Sequence, residues 1–263
     1  MGIRGISTTG PRERILLIGG WGVGKSTAAV EIAKQVGRTF VIDTTFEADR
    51  NFGSVAVDTR HVEDWDEYMD AVRDVRCSAG TEDWLVIDRV DPVWDMAQAG
   101  FSEKAFGKQI EDWFVEYKAE QKTGHPFAGE YGINWAIIKR MYGAFMTEVM
   151  RFPGHVIVTA KTELLQQPNR DGTGGDSAEL RSMLGKFGVR PAGEKNLGFM
   201  FHTVLWLQEV RQGIWTYTTI RDRNREQVAG KEMKNFVTSY LIPIAGWRLS
   251  GGPEASRRIT SVE

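Results

Sequence analysis

The chain has little cysteine, no long apolar run and almost no net charge, and each of these scarcities excludes a class of protein. Cys77 is the single cysteine among 263 residues, so no internal disulfide can form, and a reducing interior is the expected home. No apolar run approaches the ~18 residues of a membrane span, and Met1 to Arg14 lacks the apolar core of a signal peptide. The expectation is a soluble, cytoplasmic protein. A net charge of −2 excludes a blanket basic surface but leaves room for a local basic groove. There is no internal repeat and no low-complexity tract, and a guanine-selecting N-K-x-D motif is absent.

What is present in quantity is apolar sequence and glycine. Hydrophobic residues make up 41 % of the chain, enough for one sizeable α/β core. The 29 glycines exceed the usual ~7 %, so loops should be plentiful. The chain is organised around Ile15 to Thr27, where Gly19-Gly20-Trp21-Gly22-Val23-Gly24-Lys25-Ser26 matches the full G-x-x-x-x-G-K-[ST] phosphate-binding loop. Four apolar residues precede it as a strand would, and Ala28, Ala29, Ile32, Ala33 and Val36 follow at helical spacing. Glycines let the backbone turn its N–H groups toward phosphate oxygens, and the helix N-terminus adds a favourable dipole. In this pattern Lys25 reaches the β- and γ-phosphates and the Ser26 hydroxyl binds Mg²⁺. Thr27 completes the cradle, and ATP with Mg²⁺ is the expected ligand.

A second strand ends in a carboxylate at Asp43, followed by Thr44-Thr45-Phe46-Glu47. A helix is expected from about Asp64, with Asp64 and Glu67 at capping-box spacing. Trp84-Leu85-Val86-Ile87 then delivers Asp88 at a strand's C-terminal end, where a carboxylate can hold Mg²⁺ opposite Ser26. Eleven acids against three arginines between Val62 and Asp95 read as a solvated face that repels nucleic acid. One helix is expected over Ser102–Lys122 and another around Trp135–Val149, before the strand Val156–Thr159 and Ala160-Lys161. Leu165 to Leu197 is glycine-rich, with five basic residues against four acids, and reads as a long loop. Two strands, Phe201–Leu207 and Ile214–Ile220, flank the turn Arg211-Gln212-Gly213.

Alternating strands and helices argue a mainly parallel sheet with helices on both faces. Its ligand belongs at the carboxyl ends of the strands, where Gly19, Asp43, Asp88 and Lys161 all fall. The expected organisation is a flexible arm over residues 1–14, one domain over 15–249 and a flexible tail over 250–263.

The order of these segments, closing with Arg221-Asp222-Arg223, resembles the RecA-like P-loop ATPases from about Arg14 to Phe236. Within them it is most similar to the compact phage-encoded type of single-strand annealing and recombination. The resemblance implies that the strand ending at Thr159 lies between those ending at Gly19 and Asp88, with Thr159 and Lys161 near the γ-phosphate. It implies self-association as a ring or filament, with Arg221 and Arg223 reaching a neighbouring subunit's site; the same pair can equally be an exposed basic strand end. The family's water-activating glutamate falls here on Thr45, leaving Glu47 and Asp43 as candidates. Single-stranded DNA is the implied partner, contacting the 165–197 loop through Arg170, Arg181, Lys186 and Arg190. A small-molecule phosphotransferase and a nucleotide-dependent switch with little turnover are the competing readings.

Overall fold

The computed structural model describes residues 12–35, 38–120, 133–169, 175–222, 225 and 227–245. Its frame is an eight-stranded sheet in the order β10-β9-β8-β1-β5-β4-β2-β3. Strand β1 (Arg14–Gly19) pairs in parallel with β5 (His155–Ala160) and with β8 (Thr203–Arg211). Beyond β5 run β4 (Trp84–Asp88), β2 (Thr39–Asp43) and the edge strand β3 (Asp58–His61), all parallel. Beyond β8 the sheet turns antiparallel, through β9 (Ile214–Asp222) and β10 (Lys231–Glu232). This is an α/β fold with a mainly parallel sheet flanked by helices, as a P-loop nucleotide-binding core requires. Strand β5 lies between β1 and β4, as the resemblance implies.

Every residue of β1, β2, β4 and β5 is buried, which is why these strands read as continuous apolar runs rather than alternating ones. Their side chains still separate with a period of two. Leu16, Ile18, Phe40, Ile42, Leu85 and Ile87 face a core formed with α3 (Trp65–Ser78), α4 (Asp91–Phe106) and α6 (Ile133–Met150). Ile15, Leu17, Val41 and Val86 face the opposite core, with α1 (Lys25–Ala33) and a π-helical segment, Val237–Leu241. Asp64 caps α3, its carboxylate accepting the Glu67 N–H at 2.9 Å, an interaction worth about 1 kcal/mol.

Several expectations need correction. The single helix over Ser102–Lys122 is instead α4 and α5 (Ile110–Ala119). Gly107 adopts a left-handed φ of 66° and closes α4 there, as C-terminal glycines do. The short α2 (Ala48–Phe52) and edge strand β3 were not expected, because each is too short to show a period. The 165–197 stretch is no plain loop. It carries α7 (Ala178–Leu184), α8 starting at Leu197, and β7 (Val189–Pro191), which pairs with β6 (Thr162–Leu164) as a separate antiparallel ribbon.

Residues 13 and 14, expected in the arm, belong to the fold. Arg14 is the first residue of β1, and Glu13 is buried, its carboxylate held by Arg225 at 2.6 and 3.0 Å. The Arg14 guanidinium donates to the carbonyls of Gly154 and Phe152, both at 2.6 Å, at the end of α6. Residues 1–11 and the tail 250–263 lie outside the described residues. Among the described residues, no helix is long and apolar enough to cross a membrane.

Candidate nucleotide site

The loop between β1 and α1 is shaped by what its glycines permit. A Cβ on Gly19 would stand 2.6 Å from the Val23 side chain and 2.7 Å from the Leu207 carbonyl, so only glycine lets the chain pass there. Gly22 and Gly24 take φ values of 71° and 85°, a region that side chains disfavour. Val23 turns inward and is buried, whereas Trp21 stands out, 81 % exposed. Helix α1 then begins at Lys25 with no side-chain cap. Its first N–H groups are therefore free to serve an anion, at the positive end of the helix dipole.

Lys25 is the buried cation of this loop. Its Nζ donates to the carbonyls of Gly19 at 2.9 Å and Gly20 at 2.5 Å. Burial lowers its pKa to about 8, Asp88 acting against that shift while Arg89 and Lys161 add to it. An ammonium held by two neutral carbonyls is poised to exchange them for phosphate oxygens, which form stronger, charge-assisted hydrogen bonds.

Across the mouth, β4 carries Asp88, also buried. One of its carboxylate oxygens accepts the Thr159 hydroxyl from β5 at 2.5 Å. Lys25, Ser26 and Asp88 line one small cavity of about 100 Å³ together with Glu47, Lys161 and Arg89. The donor set fits Mg²⁺ bound to a polyphosphate, because a hydroxyl and a buried carboxylate are the hard oxygen ligands that ion takes beside phosphate oxygens. Among the described residues no group of three or more His, Cys, Asp or Glu could hold a metal by itself, so phosphate oxygens and water would complete the shell.

The structure separates the two candidate bases. Asp43 is buried, and its carboxylate accepts the Thr45 N–H, the Thr45 hydroxyl and the Ala48 N–H, each at 2.8 Å. His61 Nδ1 lies 3.3 Å away as well. Asp43 thus shapes the turn into α2 and does not line the cavity. Glu47 occupies the N-cap of α2 and reaches the cavity from an exposed position. Position 45 is also at the mouth, as a threonine.

Lys161 follows β5, its N–H held by Asp91 Oδ1 at 3.1 Å and its Nζ 5.2 Å from the Trp21 ring centre. Arg89 went unnoticed in the sequence although it adjoins Asp88. Its guanidinium makes a two-pronged contact with the Asp91 carboxylate at 3.2 and 3.1 Å. That adjacency was the only available signal. Trp215 went unnoticed too. Its indole N–H donates to the Gly22 carbonyl at 3.1 Å from 193 positions along the chain, and no local pattern could have pointed to it.

Other expected residues are not brought to this mouth. The β1–β8–β9 register places Arg221 opposite Val204, near the start of β1, whereas Gly19 at the other end lies beside Leu207. Arg221 donates to the Phe199 carbonyl at 3.3 Å, away from this mouth. Arg190 is corrected as a DNA contact: it is buried, its guanidinium 2.5 Å from Glu163 and 3.4 Å from Asp176. Arg181 donates to the Asp176 carbonyl. Lys186 is exposed, above the Phe187 ring. Arg170 and Arg223 lie outside the described residues.

A family model described as an AAA domain matches residues 12–186. No curated protein matches the chain. The match takes in the phosphate loop, Asp88 and Lys161, and stops before β8.

Proposed function

This chain belongs to the AAA-domain family, and from that premise we propose that it is an Mg-ATP-dependent ATPase. We propose further that it acts on single-stranded DNA in phage-type recombination or annealing, as a ring or filament of like subunits. The observation that carries the ATPase reading is one mouth lined by Lys25 and Ser26 of α1, Asp88 of β4, Glu47 after β2 and Lys161 after β5. In this reading Lys25 leaves the Gly19 and Gly20 carbonyls for the β- and γ-phosphates. Ser26 and Asp88 would hold Mg²⁺, which when bound would supply charge neutralisation to the phosphates. Thr159 keeps Asp88 oriented. Glu47 orients or deprotonates the attacking water, and Lys161 and Arg89 stabilise charge on the γ-phosphate side. Arg221 and Arg223 act on a neighbour's nucleotide. The domain runs from residue 12 to about 249.

The DNA part rests on the resemblance and on fewer side chains than the sequence offered. With Arg190 committed to Glu163 and to buried Asp176, Lys186 and Arg181 remain on the described part of the 165–197 stretch, and Arg170 adjoins it. The deciding experiment is steady-state ATP hydrolysis by the full chain with and without single-stranded oligonucleotide, at low and moderate salt. Mg²⁺-dependent hydrolysis that rises with the oligonucleotide supports the whole reading. Hydrolysis indifferent to DNA retains the ATPase and removes the DNA partner.

One observation favours a second reading, a small-molecule phosphotransferase. A cavity of about 860 Å³ adjoins the nucleotide mouth and shares Arg89 and Lys161 with it, and Trp94 and Trp135 also line it. Room for an acceptor therefore exists beside the γ-phosphate position. Nucleotide turnover that requires an added small-molecule acceptor rather than DNA selects this reading. Tight ATP binding with negligible turnover selects a nucleotide switch.

A further inference from the structure

The hydrogen bond from Trp215 to the phosphate loop has a geometric consequence. Gly22 is joined to Val23 by a trans peptide, since among the described residues the cis bond is Asp88–Arg89. In a trans peptide the C=O and the following N–H point in opposite directions. The Trp215 indole holds the Gly22 carbonyl toward β9 at 3.1 Å, so the Val23 N–H points the other way, to the inside of the loop. A Cβ built on Gly22 would meet no atom within 4 Å, and glycine rotates freely where nothing blocks it. A flipped peptide would aim a carbonyl oxygen, not an N–H, at the phosphates.

Trp215 is itself well fixed. It sits near the start of β9 opposite Glu209 of β8, its carbonyl accepts the Met233 N–H at 2.8 Å, and its side chain packs on the core beside α1. Val23, on the far side of the peptide, is buried in the same core.

We propose that Trp215 is a positioning residue for the phosphate loop: by holding the Gly22 carbonyl outward, it aims the Val23 N–H at the polyphosphate of the bound nucleotide. This rests on the nucleotide-binding reading of the loop. It gives β9, which lies beyond the matched residues 12–186, a part in ligand binding that touches phosphate and not base.

The test is calorimetric titration of the full chain with Mg-tripolyphosphate and, separately, Mg-ATP. Trp215→Phe keeps a ring and removes the donor. It should weaken both ligands by the same factor, about threefold to tenfold, the range for loss of one neutral hydrogen bond. The ligand-free melting temperature should hardly change. Trp215→His, which retains a ring N–H, should recover part of the loss, and Trp206→Phe, on β8 with its side chain packed against the opposite core, should bind both ligands normally. Unchanged tripolyphosphate affinity in Trp215→Phe would overturn the proposal. So would a loss confined to ATP, an equal loss in Trp206→Phe, or a loss matched by a fall in melting temperature. If the unmutated protein binds both ligands and Trp215→Phe matches it, only the positioning role falls. If the unmutated protein binds neither, the nucleotide reading falls and takes this role with it.

Discussion

The phosphate loop has two flanks, and they are built on different principles. On one side β5, β4, β2 and β3 are parallel, and their carboxyl ends bring Asp88, Glu47 and Lys161 to the mouth. On the other side β8, β9 and β10 form an antiparallel extension that presents no such side chain among the lining residues. It presses on the loop from outside instead. The Leu207 carbonyl closes against Gly19, Trp215 holds Gly22, and the Met233 methyl would lie 3.1 Å from a Cβ on Gly24. In the proposed reading, chemistry comes from the parallel flank and shape from the antiparallel one. A parallel sheet concentrates strand carboxyl ends on one edge, so successive loops can each deliver a reactive group there. An antiparallel hairpin alternates its ends and can offer that edge only one turn at a time.

Breaking the parallel flank should have the largest effect on turnover. Glu47→Gln should lower ATP hydrolysis by about 10²-fold or more while leaving ATP affinity intact, the scale of a lost general base. Asp43→Asn should act mainly on the α2 turn and on stability, because Asp43 is spent on Thr45 and Ala48. Single-turnover kinetics beside calorimetric affinity separates the two. If Asp43→Asn abolished turnover in a stable protein and Glu47→Gln did not, the assignment would reverse.

Breaking the antiparallel flank should cost stability. Arg225 follows β9 and holds buried Glu13 at 2.6 Å, with burial of its own charge more than offset by Glu13 and Tyr240, which raise its pKa. Arg225→Ala leaves the Glu13 carboxylate unpaired inside the protein and should destabilise it by about 3 kcal/mol, the low end for one partner removed from a buried pair. At this chain length that is a fall in melting temperature of roughly 6–12 °C. Turnover per folded molecule should be retained. A variant that melted normally would show that Glu13 is reached by water and that this flank is held by packing alone.

The smallest effect belongs to the loop itself and is set by pH. With its pKa lowered to about 8, Lys25 is an ammonium at neutral pH in the free protein. Phosphates favour the charged form, so above about pH 8 binding must take up a proton, and ATP affinity should fall by at most tenfold per pH unit. The sign for the fold alone is opposite. Between about pH 8 and the ordinary lysine range the unfolded chain binds the extra proton, so the ligand-free protein gains stability from this group as pH rises. Affinity measured from pH 7 to 9.5 in the unmutated protein and in Lys25→Ala checks this, since the variant should lack the dependence.

Much of the parallel flank was legible because its signals are local. A phosphate loop is one continuous stretch, Asp88 ends an unbroken apolar strand, and Lys161 follows another. Two strands and a turn of the antiparallel flank are legible in the sequence, whereas the two-residue β10 is not, and the flank's bearing on the loop is not readable, since Trp215 and Gly22 are 193 positions apart. The basic stretch 165–197 misled for a related reason. Charge can be counted in a sequence, but whether Arg190 faces solvent or Glu163 depends on the pairing of β6 with β7.

By itself, then, the sequence determined the sheet class, the phosphate loop and the acid that faces it, because backbone geometry and apolar periodicity act over a few neighbouring residues. Only the tertiary structure decided which carboxylate after β2 reaches the mouth, which arginines are spent in ion pairs, and what steadies the loop. Those outcomes depend on desolvation and on contacts between distant segments, and burial is a property of the packed molecule that no residue carries in its own neighbourhood.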